Sequence, residues 1–239
     1  MKKIIFLILT ALSTNIQADT VLGIEGGVQS WYHDNSGNIT TPLNVIPFTS
    51  DLNSDNETAL SYFIALEHGV PFVPNFKIKH SNIDGNFINQ LDVCPPENPC
   101  NSPIDLNLSH TDFTLYYELL DNWVNLDLGL SAIYFNGNKD FSNLNDFSQI
   151  DYSETVPAVY GKAEFKFPTT DLSASLTANV GTFSDKSISD MELAAKYKFA
   201  LGFIIEAGYR KQIIDLEYSN QIKVDATSSG VFAALNFDF

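Results

Sequence analysis

The stretch Gly230-Val-Phe-Ala-Ala-Leu-Asn-Phe-Asp-Phe239 decides the fold. Counting back from Phe239, the residues Phe237, Leu235, Ala233 and Val231 put an apolar side chain at every second position. The alternate set, Asp238, Asn236, Ala234 and Phe232, is mixed. A period of two marks a strand with one apolar face.

The same parity recurs upstream. Leu22, Ile24, Gly26 and Val28 alternate with Glu25, Gly27, Gln29 and Trp31. Further strands are expected over 59–68, 76–81, 110–119, 123–135, 157–167, 172–180, 191–199 and 203–210. The clearest is 123–135, where Val124, Leu126, Leu128, Leu130, Ala132 and Tyr134 oppose Asn125, Asp127, Gly129 and Ser131. With the closing strand this makes ten. Between them, 34–57, 84–108 and 136–153 are polar, lack a period and read as long loops. A modest loop is expected over 183–189, and a polar tip near Ser219-Asn220. The connections at 69–75, 121–122, 168–171 and 200–202 are short. Alternating long and short connections, an even strand count and strands of about ten residues suit a transmembrane antiparallel barrel with long extracellular loops and short periplasmic turns.

Composition narrows the choice. Met1-Lys2-Lys3, the apolar run Ile4–Leu12 and Ser13–Ala18 have the form of a secretory signal peptide cut after Ala18, leaving 19–239 as one barrel domain. Without the leader's two lysines the net charge falls from −16 to −18, which excludes nucleic acid as a partner class. No later run approaches the roughly 18 apolar residues of a spanning helix. A chain of this kind crosses a membrane only as a closed barrel. Cys94 and Cys100, in Cys-Pro-Pro-Glu-Asn-Pro-Cys, suit a short-loop disulfide in an oxidising compartment rather than a metal site.

A soluble barrel would turn its apolar face inward. Here seven of the lysines and arginines, Lys77, Lys79, Lys162, Lys166, Lys196, Lys198 and Arg210, share the polar face with acids such as Glu25, Asp127, Glu164 and Glu206. The opposite face lacks charge over all ten strands. Aromatics including Tyr32, Tyr134, Phe165, Phe199, Tyr209 and Phe239 gather near the ends of the apolar faces, as interfacial girdles do. Polar-in, apolar-out is therefore the expected parity. The charges then form a lumenal network that plugs the interior, because unpaired buried charge is costly.

Candidate chemistry is sparse. His33-Asp34 and His110 with Asp112 fall at expected extracellular strand ends, where omptin proteases carry facing Asp and His pairs, but no omptin motif accompanies them. His68 and His80 suit packing or girdle roles. No nucleophile elbow, phosphate loop or metal-ligand cluster is present, and no cofactor is implied. The acidic loop residues, among them Asp51, Asp92, Asp146 and Glu154, suit Ca²⁺ or Mg²⁺, alone or through lipopolysaccharide phosphates. Ordinary loop solvation is the favoured account of them, since no EF-hand spacing appears.

The mature chain resembles the small, single-chain outer-membrane β-barrel proteins of Gram-negative bacteria. Its opening Gly23-Ile-Glu-Gly-Gly-Val-Gln-Ser-Trp31, with the Phe-terminated end, is similar to an exported proteobacterial barrel family of about this length. The resemblance implies an outer-membrane location, lipid and lipopolysaccharide as surroundings, and an assembly signal at Phe237 and Phe239 read by the barrel-assembly machinery. It transfers no other functional residue. The leading expectation is a non-enzymatic, monomeric surface barrel serving adhesion, envelope integrity or ligand binding. A narrow channel or small-molecule transporter is the second reading, and a rim-located protease or lipid-modifying enzyme the third. Deleting Phe239 should lower the amount of folded barrel in the outer membrane, scored by heat-modifiable gel mobility; unchanged insertion contradicts the assembly role.

Overall fold

The computed structural model describes residues 22–42, 47–90, 101–141, 150–218 and 222–239. The leader and the Cys94–Cys100 pair lie outside the described residues. Twelve strand segments follow one another: β1 (Gly23–Pro42), β2 (Pro47–Glu67), β3 (Asn75–Asn82), β4 (Asp84–Gln90), β5 (Asn101–Asn107), β6 (His110–Asp121), β7 (Val124–Phe141), β8 (Ile150–Lys166), β9 (Leu172–Phe183), β10 (Lys186–Lys198), β11 (Phe203–Tyr218) and β12 (Ile222–Asp238). β4 extends β3 past Ile83, and β6 extends β5 past Leu108-Ser109. The backbone stays satisfied across these breaks, because Ile83 N donates to Ser109 Oγ at 3.0 Å and Leu108 N to Ile83 O at 2.8 Å. The twelve segments are thus ten staves, each antiparallel to its neighbours.

β12 pairs with β1 from Asp238↔Glu25 to Lys223↔Thr40, and β7 pairs with both β6 and β8, so the sheet closes on itself. Phe239 itself exchanges both backbone bonds with Ile24, at 2.8 and 3.0 Å. Closure leaves no edge strand with unpaired amides, the condition for placing a sheet in lipid. One periplasmic turn is the 3₁₀ turn Ala200–Gly202, where Leu201 and Gly202 adopt φ of 68° and 78°. A side chain at Gly202 would also approach Asp238 O to 2.4 Å, so only glycine fits.

The outward face is apolar around the whole circumference. Leu130, Val159 and Leu193 are 60–68% exposed, and Val28, Leu60, Ile64, Leu176, Ile205, Val231 and Leu235 are also exposed. Water does not tolerate a continuous apolar surface of that extent, whereas hydrocarbon does. Aromatic contacts ring its periplasmic edge: Trp123–Phe165 at 5.4 Å, Phe165–Phe167 at 5.2 Å, Phe199–Phe203 at 5.8 Å and Phe203–Phe239 at 6.2 Å. Tyr32, Tyr134 and Tyr209 mark the extracellular edge. The phenol of Tyr32 bonds Asn56, and that of Tyr134 accepts from Ser153.

Two sequence expectations need correction. The described parts of 34–57, 84–108 and 136–153 are strand rather than irregular loop: β1–β2 pairing runs up to Pro42↔Pro47, β4 pairs with β5, and β7–β8 pairing reaches Lys139↔Ile150. The expected loop at 183–189 is only a tight turn between β9 and β10. Above the lipid the outer face meets water, so the apolar alternation that flags a lipid-facing strand disappears while the backbone ladder continues.

The second correction concerns parity. Above the tyrosine edge the lumenal side chains become apolar: Ile83, Ile133, Phe135, Val156, Ile188, Ile214, Leu216 and Val224 are all buried. Their outward neighbours Asn136, Ser153 and Thr155 are exposed and polar. One chain thus carries two parities, each matched to what lies outside it. Substituting Leu193, midway up the lipid face, by Arg should destabilise the bilayer-embedded barrel by about 2–4 kcal/mol, measured by urea unfolding in lipid vesicles. An effect below about 0.5 kcal/mol, the level of an ordinary exposed surface position, contradicts a lipid-facing Leu193.

Candidate functional site

The lumen gathers the chain's chemistry, and its layers follow from which inward positions each strand supplies. At mid-height lies Arg210 of β11, the only arginine in the sequence and 0% exposed. Its Nε and Nη2 donate to the two oxygens of Asp190 on β10, at 3.0 and 2.6 Å. Nη1 donates to Gln29 Oε1 on β1 at 3.2 Å and to Ser61 Oγ on β2 at 3.3 Å, and Nη2 reaches Ser81 Oγ on β3 at 3.4 Å. The guanidinium lies 4.6 Å from the Trp31 ring centre. The planar fork suits such a site, since it serves several acceptors at once.

Glu192 joins the hub. Its carboxylate lies 3.4 Å from Arg210 Nε, pairs with Lys79 and accepts from Gln29 Nε2 at 3.3 Å. Below it, Lys162 lies between Glu25 and Asp127, at 3.8 and 3.9 Å. Lys196 stands between Glu164 and Glu206, at 3.1 and 4.0 Å. Ser173 and Asn236 donate to those same two glutamates, at 2.7 and 2.8 Å. Lys77 lies over Phe63, 4.5 Å from the ring centre, and faces Tyr160 at 5.7 Å. An inner chamber of about 60 Å³ remains among these groups. Beneath it a vestibule of about 520 Å³ lies at the periplasmic end, between Gly23, Glu67, Glu118 and Phe239.

Above Arg210 the lumen is occupied by the apolar core, with Trp31, Phe135, Val156 and Leu216 at 0% exposure. A last ion pair, Lys186–Glu154 at 2.6 Å, sits over it. Outside the membrane zone, Lys223 bridges Asp215 and Asp225 at 3.8 and 3.7 Å. Burial and the nearby Asp225 carboxylate raise the Asp215 carboxyl above its ordinary range.

Of the charges read from the sequence, Glu25, Lys77, Lys79, Asp127, Lys162, Glu164, Lys196, Glu206 and Arg210 lie in the lumen. Lys166 and Lys198 do not join them: they stand half exposed at the periplasmic rim, with Asp121 at 3.6 Å and Asp238 at 2.8 Å. The histidines form no rim dyad. His33 is buried against Trp31 at 4.2 Å, whereas Asp34 points outward and accepts from Asn56 N. His110 Nε2 is 3.9 Å from Asp112, Nδ1 bonds Leu108 O, and both residues are only 2% exposed. Sequence reasoning missed Gln29, Ser61, Ser81 and Asp190 as the partners of Arg210. Their one signal was inward parity, which marks a face and not a contact.

Among solved structures, the outer-membrane protease OmpT from Escherichia coli is similar over 95% of this chain and 100% of its own, at a TM-score of 0.60 and 12% identity. The translocator domain of the autotransporter NalP from Neisseria meningitidis gives 0.45 and 12%, covering 100% and 94% of the two chains. Neisserial surface protein A gives 0.35 and 10%, covering 92% and 98%. No protein-family model and no curated protein matches the chain. At such identities the likeness to OmpT speaks for fold alone. The closed ten-stave ring, its apolar circumference and this likeness agree that the chain is a small, single-chain β-barrel of the Gram-negative outer-membrane type.

Proposed function

We propose that this barrel is a non-enzymatic, non-conducting surface protein that carries β-hairpins beyond the outer membrane for adhesion, envelope integrity or ligand binding. The observation that supports it best is the filled lumen, in which the Arg210 hub lies directly beneath an apolar core. A transport path needs a continuous polar passage, and an apolar core opposes one. In this reading the leader is removed after Ala18, a Cys94–Cys100 disulfide closes the segment joining β4 and β5, and Phe237 and Phe239 serve as the assembly signal. Lipopolysaccharide surrounds the girdle.

The OmpT likeness raises a hydrolase as a competing idea. Against it stand the opposed directions of His33 and Asp34 and the burial of His110 and Asp112. A general base must reach its substrate proton, and neither pair presents one at the extracellular rim. The channel reading keeps one point in its favour, the vestibule on the periplasmic side. Purified protein in a planar bilayer should show no stable conductance step. Reproducible, large ohmic steps would overturn the closed-lumen reading and favour the channel.

A further inference from the structure

The vestibule and the inner chamber adjoin, with Glu25, Lys162 and Lys196 lining both. Two independent features of these adjoining cavities call for a cation carrying N–H donors. The first is its far end. Asp112 is 2% exposed and lines the inner chamber, yet its Oδ1 has no hydrogen-bond partner among the described residues. Its cross-strand neighbour Lys79 turns away to Glu192, and His110 Nε2 stays at 3.9 Å. A buried carboxylate oxygen without a donor is costly, and an ammonium group removes that cost.

The second feature is the mouth. Eight carboxylates and four lysines line the vestibule. The two lysines of the neck, Lys162 and Lys196, each have two carboxylates within 4.0 Å, so the neck carries no surplus positive charge. Glu67 and Glu118 are held by neutral donors, Tyr116 Oη at 2.7 Å and Asn75 Nδ2 at 2.9 Å, rather than by a lysine. A funnel in which carboxylates outnumber lysines two to one concentrates cations.

Size and donor set select the ligand. A chamber of about 60 Å³ takes an ammonium head with a slim methylene stem and excludes a ring. Among the described residues no group of three or more His, Cys, Asp or Glu could hold a metal ion, so a divalent cation is the poorer fit. We propose that the lumen binds a linear primary-amine cation entering from the periplasm, with one ammonium on Asp112 and a second held between Glu67 and Glu118. Such a periplasmic ligand is separate from whatever the extracellular hairpins meet.

Titration calorimetry of the detergent-purified barrel with spermidine, in physiological salt, tests this. The expected result is saturable one-to-one binding that a tenfold excess of Mg²⁺ does not displace. Asp112→Asn should weaken it about tenfold, the loss of one charge-assisted hydrogen bond. Glu118→Gln, at the exposed mouth, should weaken it severalfold. Heat-modifiable gel mobility reports whether each variant is folded, and if Asp112→Asn is not, Glu118→Gln decides alone. Absence of saturable binding, full displacement by Mg²⁺, or wild-type affinity in the folded variants overturns the proposal.

Discussion

The rest of the structure turns on one buried ion pair, Arg210 with Asp190, set inside a ring of strands. A guanidinium at zero exposure is tolerable only if its donors find acceptors, because desolvating a charge costs several kcal/mol. β10 supplies Asp190 and Glu192, β1 supplies Gln29, and β2 and β3 supply Ser61 and Ser81. These contacts cross the lumen and so tie together walls that are far apart along the sheet. The barrel is therefore braced through its middle as well as by its hydrogen-bond ladder.

Around that brace the chain answers to two solvents. Below the tyrosine edge, lipid outside demands apolar outward residues, and the interior is left to ion pairs. Above it, water outside releases the outward face, and the interior becomes a core of Ile133, Phe135, Val156, Ile214 and Leu216. The upper part is stabilised as a soluble barrel is, by hydrophobic burial within. This makes the projecting β-hairpins a firm platform beyond the membrane. It also leaves the periplasmic mouth as the accessible end of the lumen, which concentrates the candidate ligand chemistry there.

The fold was legible because period two survives wherever one face meets lipid. Val124 to Tyr134 could be read residue by residue, and the closing strand set the parity for all ten. The extracellular halves of the strands were not legible in the same way. Asn136, Ser153 and Thr155 look like loop residues because their outward face needs no apolar side chain, and the apolar residues between them sit on the unexpected parity. The lumenal charges were legible as a face, the one on which Arg210 and Lys196 lie. Rim and lumen were not separable, because Lys166 and Lys198 share that parity but fall where the strands end. Partner choice was hidden as well: Lys79 faces Asp112 in register yet bonds Glu192 across the lumen, a contact set by barrel closure and by nothing local.

A double-mutant cycle between Arg210 and Asp190 tests the central claim most directly. Arg210→Met, Asp190→Asn and the double variant would be compared by reversible urea unfolding in lipid vesicles. Each single substitution leaves its partner buried and is expected to cost about 3–5 kcal/mol. The double variant should cost less than the sum of the singles by at least about 2 kcal/mol, as residues sharing one network do. Additivity within about 0.5 kcal/mol, the behaviour of independent sites, would contradict a barrel braced through this pair.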